Sequence, residues 1–197
     1  MILNDKQIIE LAENGMIEPF EPKQVKKRLR DTRVISYGTS SFGYDIRLGV
    51  DFRIFHHIPG NIIDPKDFDD QFLEPSKINI HYSDYDDSEY VILPAHTYGL
   101  GVSIERFNIP RNILAIAVGK STYARCGIFV NVTPAEPDWR GYLTLEFYNA
   151  ASSDCKLYIG EGCLQLLFLQ GENCLTSYND KHGKYQNQLN FVQPAIV

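Results

Sequence analysis

The sequence predicts a mainly β fold, an all-β sandwich or barrel. Three observations predict it. Helical periodicity ends by about residue 31. From Arg33 onward, apolar and β-branched residues come in short runs. Turn signals separate the runs: Pro-Gly at 59–60, Asp-Pro at 64–65, Ile-Pro at 109–110, Glu-Pro at 136–137 and Gly-Glu-Gly at 160–162. Many short, evenly spaced strands of this kind pack as a sandwich or barrel. The 197 residues fit one domain over 1–197 with extended arms.

Each element has its own reason. About residues 1–30 form a short N-terminal helical segment. Asn4 caps a helix in DKQIIELAENG, and Gly15 closes it. A second short helix is expected after Pro22, in KQVKKRLRD. The strand runs are GYDIRLG, DFRIFHHI, YVILPAHTYGLGVSIERF, NILAIAVG, GIFVNV, GYLTLEFYNA, CKLYIG and CLQLLFLQ. From about 177 to 197 the chain is polar and aromatic with no helix pattern. That tail is an arm that must pack on something. It buries too little apolar surface to order alone against roughly 1–2 kcal/mol of backbone entropy per residue.

The net charge of −6 argues against a general nucleic-acid binder, which needs a basic face. A small anionic ligand needs only a local cluster and stays open. Much of the acid lies between Asp64 and Glu89, which reads as a solvated loop and edge region. No apolar run is long enough to span a bilayer, so no membrane partner is expected. The start, MILNDKQIIE, lacks a basic n-region and an h-region, and a cytoplasmic location is expected. Cys126, Cys155, Cys163 and Cys174 form no CxxC pair and read as reduced structural thiols.

Two stretches carry chemistry. Gly-Lys-Ser-Thr at 119–122 looks like the end of a P-loop, but the first glycine of that motif belongs at 114, where Leu114 stands. The NTPase reading fails, yet Lys120, Ser121, Thr122 and Arg125 still put two cations and two hydroxyls within six residues. Such a cluster suits a polyphosphate; an ordinary strand-to-helix turn has the same composition. Glu146 stands in GYLTLEFYN. Alternation puts Tyr142, Thr144, Glu146 and Tyr148 on one face and Leu143, Leu145 and Phe147 on the other. A glutamate there is either solvated or a general acid/base. The tail crowds Tyr178, Lys184, Tyr185, Gln186 and Gln188 together, which suits part of an anion site on a neighbouring subunit.

SYGTSSFGYDIRL (36–48), IPRN (109–112), GKSTYARCGIFVNVTPAEPDWRGYLTLEF (119–147), EGCLQLLF (161–168) and SYNDKHGKYQNQ (177–188) together resemble the dCTP deaminases of the dUTPase-like superfamily. The resemblance implies a distorted β-barrel or jelly-roll homotrimer with active sites shared between subunits. It implies conversion of dCTP and water to dUTP and ammonia, feeding dUMP and dTTP synthesis, without zinc and with Mg2+ accompanying the triphosphate. The substrate loop falls on Lys120, Ser121, Thr122, Tyr123, Ala124 and Arg125. The catalytic glutamate falls on Glu146, with Thr144 and Leu145 beside it on the base. Further contacts fall on Gln165, Tyr178, Lys184 and Gln188, and an acidic residue near the sugar on Glu136 or Asp138. The tail departs from the family's Y-Q-G-Q-R-G: Asn187 and Leu189 replace a glycine and a basic residue.

The residues themselves agree with this chemistry. Zinc deaminases use H-x-E and P-C-x-x-C. His56, His57, His81, His96 and His182 form no H-x-E, and P-C-x-x-C does not occur. Attack at C4 of cytosine then needs a base for water and an acid for N3 and the amine. One carboxylate serves both if it exchanges protons near neutral pH. Glu146 is the candidate, with Arg125 modulating it and Ser121 binding the attacking water or the base. Lys120, Arg125 and Lys184 are the cations for the triphosphate, and the tail of one subunit is expected over the triphosphate held by another. A bifunctional enzyme giving dUMP and pyrophosphate, and a non-catalytic nucleotide sensor, are the rival readings.

Overall fold

The computed structural model describes residues 1–28, 32–82 and 87–196. Helix α1 (Asp5–Glu13) is the expected N-terminal helix. The Asn4 side chain accepts from the Gln7 backbone N–H, and the Gln7 side chain accepts from the Asn4 N–H, a reciprocal capping box. The second expected helix is corrected. Val25–Lys27 is a strand, β2, paired with β3 (Arg33–Ser40); β1 is Ile17–Glu18. A nine-residue helix is marginal alone, and Val25 instead pairs across the strands with Tyr37. The rest of that segment, 29–31, lies outside the described residues.

The remaining strands are β4 (Gly43–Phe55), β5 (Leu73–Pro75), β6 (Asn79–Tyr82), β7 (Asp87–Leu93), β8 (Tyr98–Asn108), β9 (Ile113–Gly119), β10 (Ile128–Asn131), β11 (Arg140–Asn149), β12 (Cys155–Tyr158) and β13 (Gly162–Gln170). A single turn, α2 (Ser121–Ala124), sits between β9 and β10. The large sheet runs β10-β11-β8-β4-β13-β9, and β12-β7-β6 form a second sheet. Two expected runs, GYDIRLG and DFRIFHHI, are one strand. Its first half (Tyr44–Arg47) pairs with β13, and its second half (Leu48–Ile54) pairs with β8. The register slips between Leu48 and Phe52, the signature of a bulge. Bulges bend and twist a strand, so β4 carries the sheet around a core that includes Tyr44, Phe52, Phe107, Phe147 and Phe168. The mainly β class and its curled sheet match the sequence expectation. Within the acidic stretch 64–89, the described acidic residues Asp64, Asp67, Asp69, Asp70, Glu74, Asp87 and Glu89 are exposed, while Phe72, Leu73 and Ser88 are buried.

Candidate active site

Strand β11 alternates as its sequence does. Leu143, Leu145 and Phe147 are buried, while Tyr142, Thr144 and Glu146 are half-buried on the opposite face and Tyr148 is exposed there. Its antiparallel neighbour β10 sets Asn131 directly opposite Glu146. The Asn131 Nδ2 donates to Glu146 Oε2 at 2.6 Å. A bond this short restrains the rotation of the carboxylate. On the other side, β8 brings Leu100 opposite Glu146 and Tyr98 opposite Tyr148. Burial, and secondly the nearby Glu146 charge, push the Tyr98 hydroxyl up to about 12. It therefore stays a protonated donor at working pH.

The loop between β10 and β11 closes one wall. It is pinned by paired backbone bonds between Ala135 and Ala115, and by the Asp138 N–H donating to Ile109 O. Trp139 lies in the wall, 5% exposed. The arm closes the other wall. Trp139 Nε1 donates to Tyr185 O at 2.9 Å, and the Tyr178 N–H donates to Pro137 O at 2.9 Å. The Asn187 N–H donates to Arg140 O, the Tyr142 N–H donates to Gln188 O, and the Gln188 side chain donates to Thr144 Oγ1. Gly141 lies under this contact at φ +144°, and a Cβ there would stand 2.7 Å from Gln188 N. Only glycine fits both the dihedral and the approach. Asn187, the departure from the family's glycine, has φ +60°. Asparagine tolerates that region better than other side-chain-bearing residues, so the arm keeps its turn. Leu189, the other departure, is exposed.

Together these elements enclose a pocket of about 350 Å³, within the range of small-molecule sites. Phe55, Phe68, Leu100, Val132 and Leu143 make its apolar walls, while Thr133, Thr144, Glu146, Tyr178, Tyr185 and Gln188 supply polar groups. Its charged lining residues are Glu136 and Glu146, with no Lys or Arg among the described residues that line it.

Of the sequence candidates, Thr144, Glu146, Tyr178 and Gln188 therefore meet in one place. Leu145 is beside Glu146 in the chain, but its side chain lies in the core. The loop 120–125 does not line the pocket. It enters β10 at Ile128, three residues and about 10 Å from Asn131. Lys120 Nζ pairs with Asp45 Oδ2 at 2.8 Å, at 10% and 3% side-chain exposure, so its charge is already compensated. Ser121, Thr122, Ala124 and Arg125 are exposed. Tyr123 is buried, and its hydroxyl accepts from the Tyr158 N–H at 2.9 Å, a structural role. Gln165 Nε2 donates to Ser40 Oγ at 2.8 Å on β13, opposite Asp45, and lies with the Lys120 group. Lys184 is exposed, 5.4 Å over the Tyr185 ring. In this chain the arm packs on the pocket that holds its own Glu146. Sequence reading placed Asn131 in the GIFVNV strand and gave it no role. The signal was its β10 position facing Glu146, readable once the register is known.

A family model described as dCTP deaminase-like matches residues 2–171. Curated dCTP deaminases of Albidiferax ferrireducens, Leptothrix cholodnii and a Janthinobacterium species are 48%, 49% and 50% identical over 98% of both chains. The crystal structure of a 2'-deoxycytidine 5'-triphosphate deaminase from Agrobacterium tumefaciens superposes with a TM-score of 0.59 at 17% identity. That match covers 93% of this chain and 52% of the other, and it speaks to the fold alone. On a family match over residues 2–171 and relatives that cover 98% of the chain, this protein belongs to the dCTP deaminase-like family.

Proposed function

We propose that this chain deaminates dCTP to dUTP and ammonia, with Glu146 as the general acid/base. The observation that carries it is Glu146 itself, a pocket-lining carboxylate held by Asn131. With Oε2 taken by Asn131, Oε1 is left for water. Glu146 removes a proton from water as the oxygen attacks C4. It delivers that proton to N3, then takes the second proton from the C4 hydroxyl and passes it to the amine as the C4–N bond breaks. Ammonia leaves, and C4 keeps the oxygen. General acid/base catalysis of this kind contributes about 10²–10⁴-fold. The rest rests on positioning.

The pocket's lining contains two carboxylates and no cation, which is wrong for a triphosphate near −4. The missing charge is the reason to propose a homotrimer. Glu146, Thr144 and the arm of one chain would join Ser121 and Arg125 from a neighbour. Ser121 then holds water, and Arg125 the anion. dCTP arrives as its Mg2+ complex. Triphosphate oxygens would supply ligands to that ion. Four free cysteines fit a reducing, cytoplasmic setting.

The test is incubation with dCTP and Mg2+, followed by chromatographic separation of products. dUTP and ammonia are expected, and activity persists after zinc chelation once Mg2+ is restored. Release of dUMP and pyrophosphate would instead establish the bifunctional reaction, and an absence of any product would refute the assignment.

A further inference from the structure

Arg111 is in none of the roles above, and it does not line the pocket. It sits in the turn between β8 and β9, anchored by the Ile113 N–H donating to Pro110 O. Its guanidinium reaches two other segments at once. Nη1 donates to Asp138 Oδ2 at 2.9 Å and to Ser177 Oγ at 3.4 Å. Nη2 donates to Asp180 Oδ2 at 2.6 Å and to Leu175 O at 3.1 Å. Asp138 belongs to the pocket wall that carries Glu136 and Trp139. Leu175, Ser177 and Asp180 are the root of the arm that carries Tyr178, Tyr185 and Gln188.

The segments it joins are locally prepared for it. Asp138 has φ +62°, a conformation uncommon for a residue with a side chain. Its N–H donates to Ile109 O, and its own carbonyl accepts from Gln186 Nε2 at 2.8 Å. The arm root is a tight turn in which the Ser177 N–H donates to Asp180 Oδ2 and the Asp180 N–H donates to Ser177 Oγ. That turn aims the Asp180 carboxylate at the guanidinium. One planar fork thus ties a strand turn, a pocket wall and the arm root, a geometry that a lysine's point charge reproduces less well.

We infer that Arg111 is a positioning residue for substrate binding: it staples the arm root to the pocket wall, so that the arm is already docked when the nucleotide arrives. The inference rests on the deaminase reading for its kinetic half, and on geometry alone for its structural half. Pre-docking removes the ordering entropy from the binding step, so loss of the staple should act on KM rather than kcat.

The test compares wild type with Arg111→Ala, Arg111→Lys and Asp180→Asn. Asp180→Asn removes the charge from the arm side and keeps the turn, so it stands in if Arg111→Ala fails to fold. Two quantities are read: hydrogen exchange of arm amides 175–190 without nucleotide, and the dCTP kinetics. Expected results are faster arm exchange, a KM at least tenfold higher and a kcat within about threefold of wild type. Arg111→Lys should recover part of the loss. Combining Arg111→Ala with Asp180→Asn should add less than the two singly. Unchanged arm exchange, or a fall in kcat with KM unmoved, would overturn the staple. If wild type fails to deaminate dCTP, the functional assignment falls, and the exchange rates still decide the staple.

Discussion

The geometry predicts which pairs of inactive chains restore activity when mixed. Glu146 and the arm share one chain's pocket, with Gln188 bonded to Thr144 two residues from Glu146. The loop 120–125 does not line that pocket. Under the proposed trimer, each site combines the Glu146 and arm of one chain with the loop of its neighbour. Consider Glu146→Gln chains mixed with Arg125→Ala chains. In a cyclic trimer containing both types, one junction in three joins an intact Glu146 to an intact loop, whichever type is in excess. Verified mixed trimers should therefore run at about one third of wild-type activity per chain, against about 1% or less for Glu146→Gln alone. Glu146→Gln mixed with chains lacking residues 178–197 should recover nothing, because both defects fall in the same half of a site. Chains carrying two different affinity tags are co-expressed, purified on both tags and assayed for dUTP. Recovery near one third in the arm-deleted mixture would place the arm over the neighbour's glutamate. No recovery in the Arg125→Ala mixture would mean that the loop does not act across the interface.

Three further outcomes are expected. Glu146→Gln keeps an oxygen for Asn131 to donate to, so folding and dCTP binding should survive while kcat falls about 10²–10⁴-fold; turnover within tenfold of wild type would remove Glu146 as the proton carrier. Gly141→Ala puts a Cβ 2.7 Å from Gln188 N at a φ of +144°, which should loosen the arm by more than about 1 kcal/mol and raise dCTP KM several-fold, with faster protease cleavage of 178–197. Arg111 holds the Asp180 carboxyl down to about 2, below the usual carboxylate value of about 3.9. That stabilisation is complete above about pH 4 and is lost as pH falls towards 2. The fluorescence of Trp139, the single tryptophan, whose indole donates to Tyr185 O in the arm, should report the undocking. An arm transition with its midpoint above pH 5 would contradict the Arg111–Asp180 pairing.

Local features were the most legible. The Asn4 cap, the alternation of β11 and the turn-punctuated strands follow from residue type and period, and the structure keeps them. Short edge elements were not legible. β2 reads as a basic helical stretch because nothing within KQVKKRLRD announces that Tyr37 lies across from Val25. The site was half legible. Residue chemistry selected Thr144, Glu146, Tyr178 and Gln188, and the fold does gather them. It also selected Lys120 as a phosphate ligand, with no local sign that Asp45, 75 positions away, takes its charge. Asn131 went unnoticed for the same reason: its role comes from pairing with Glu146, 15 residues on.

Under the proposed trimer, the placement of charge gives a reason for dividing the site between chains. A pocket that must activate water needs a carboxylate kept clear of permanent cations, since a lysine or arginine in contact would hold it ionised. A site for a triphosphate needs those cations close by. One chain meets the first demand at Glu146, which has no ion-pair partner among the described residues, while Glu136 is paired with Lys181 at 2.6 Å and Lys120 with Asp45 outside the pocket. Arg125 is left exposed, with no ion-pair partner among the described residues. In the proposed trimer, Arg125 from a neighbour would bring positive charge to the triphosphate, while Asn131, a neutral donor, is the group against the carboxylate. The role of the arm follows from the same division. With Gln188 on Thr144 and Tyr185 on Trp139, it closes the pocket beside Glu146, where the proposed reaction requires water to be limited to the one that reacts.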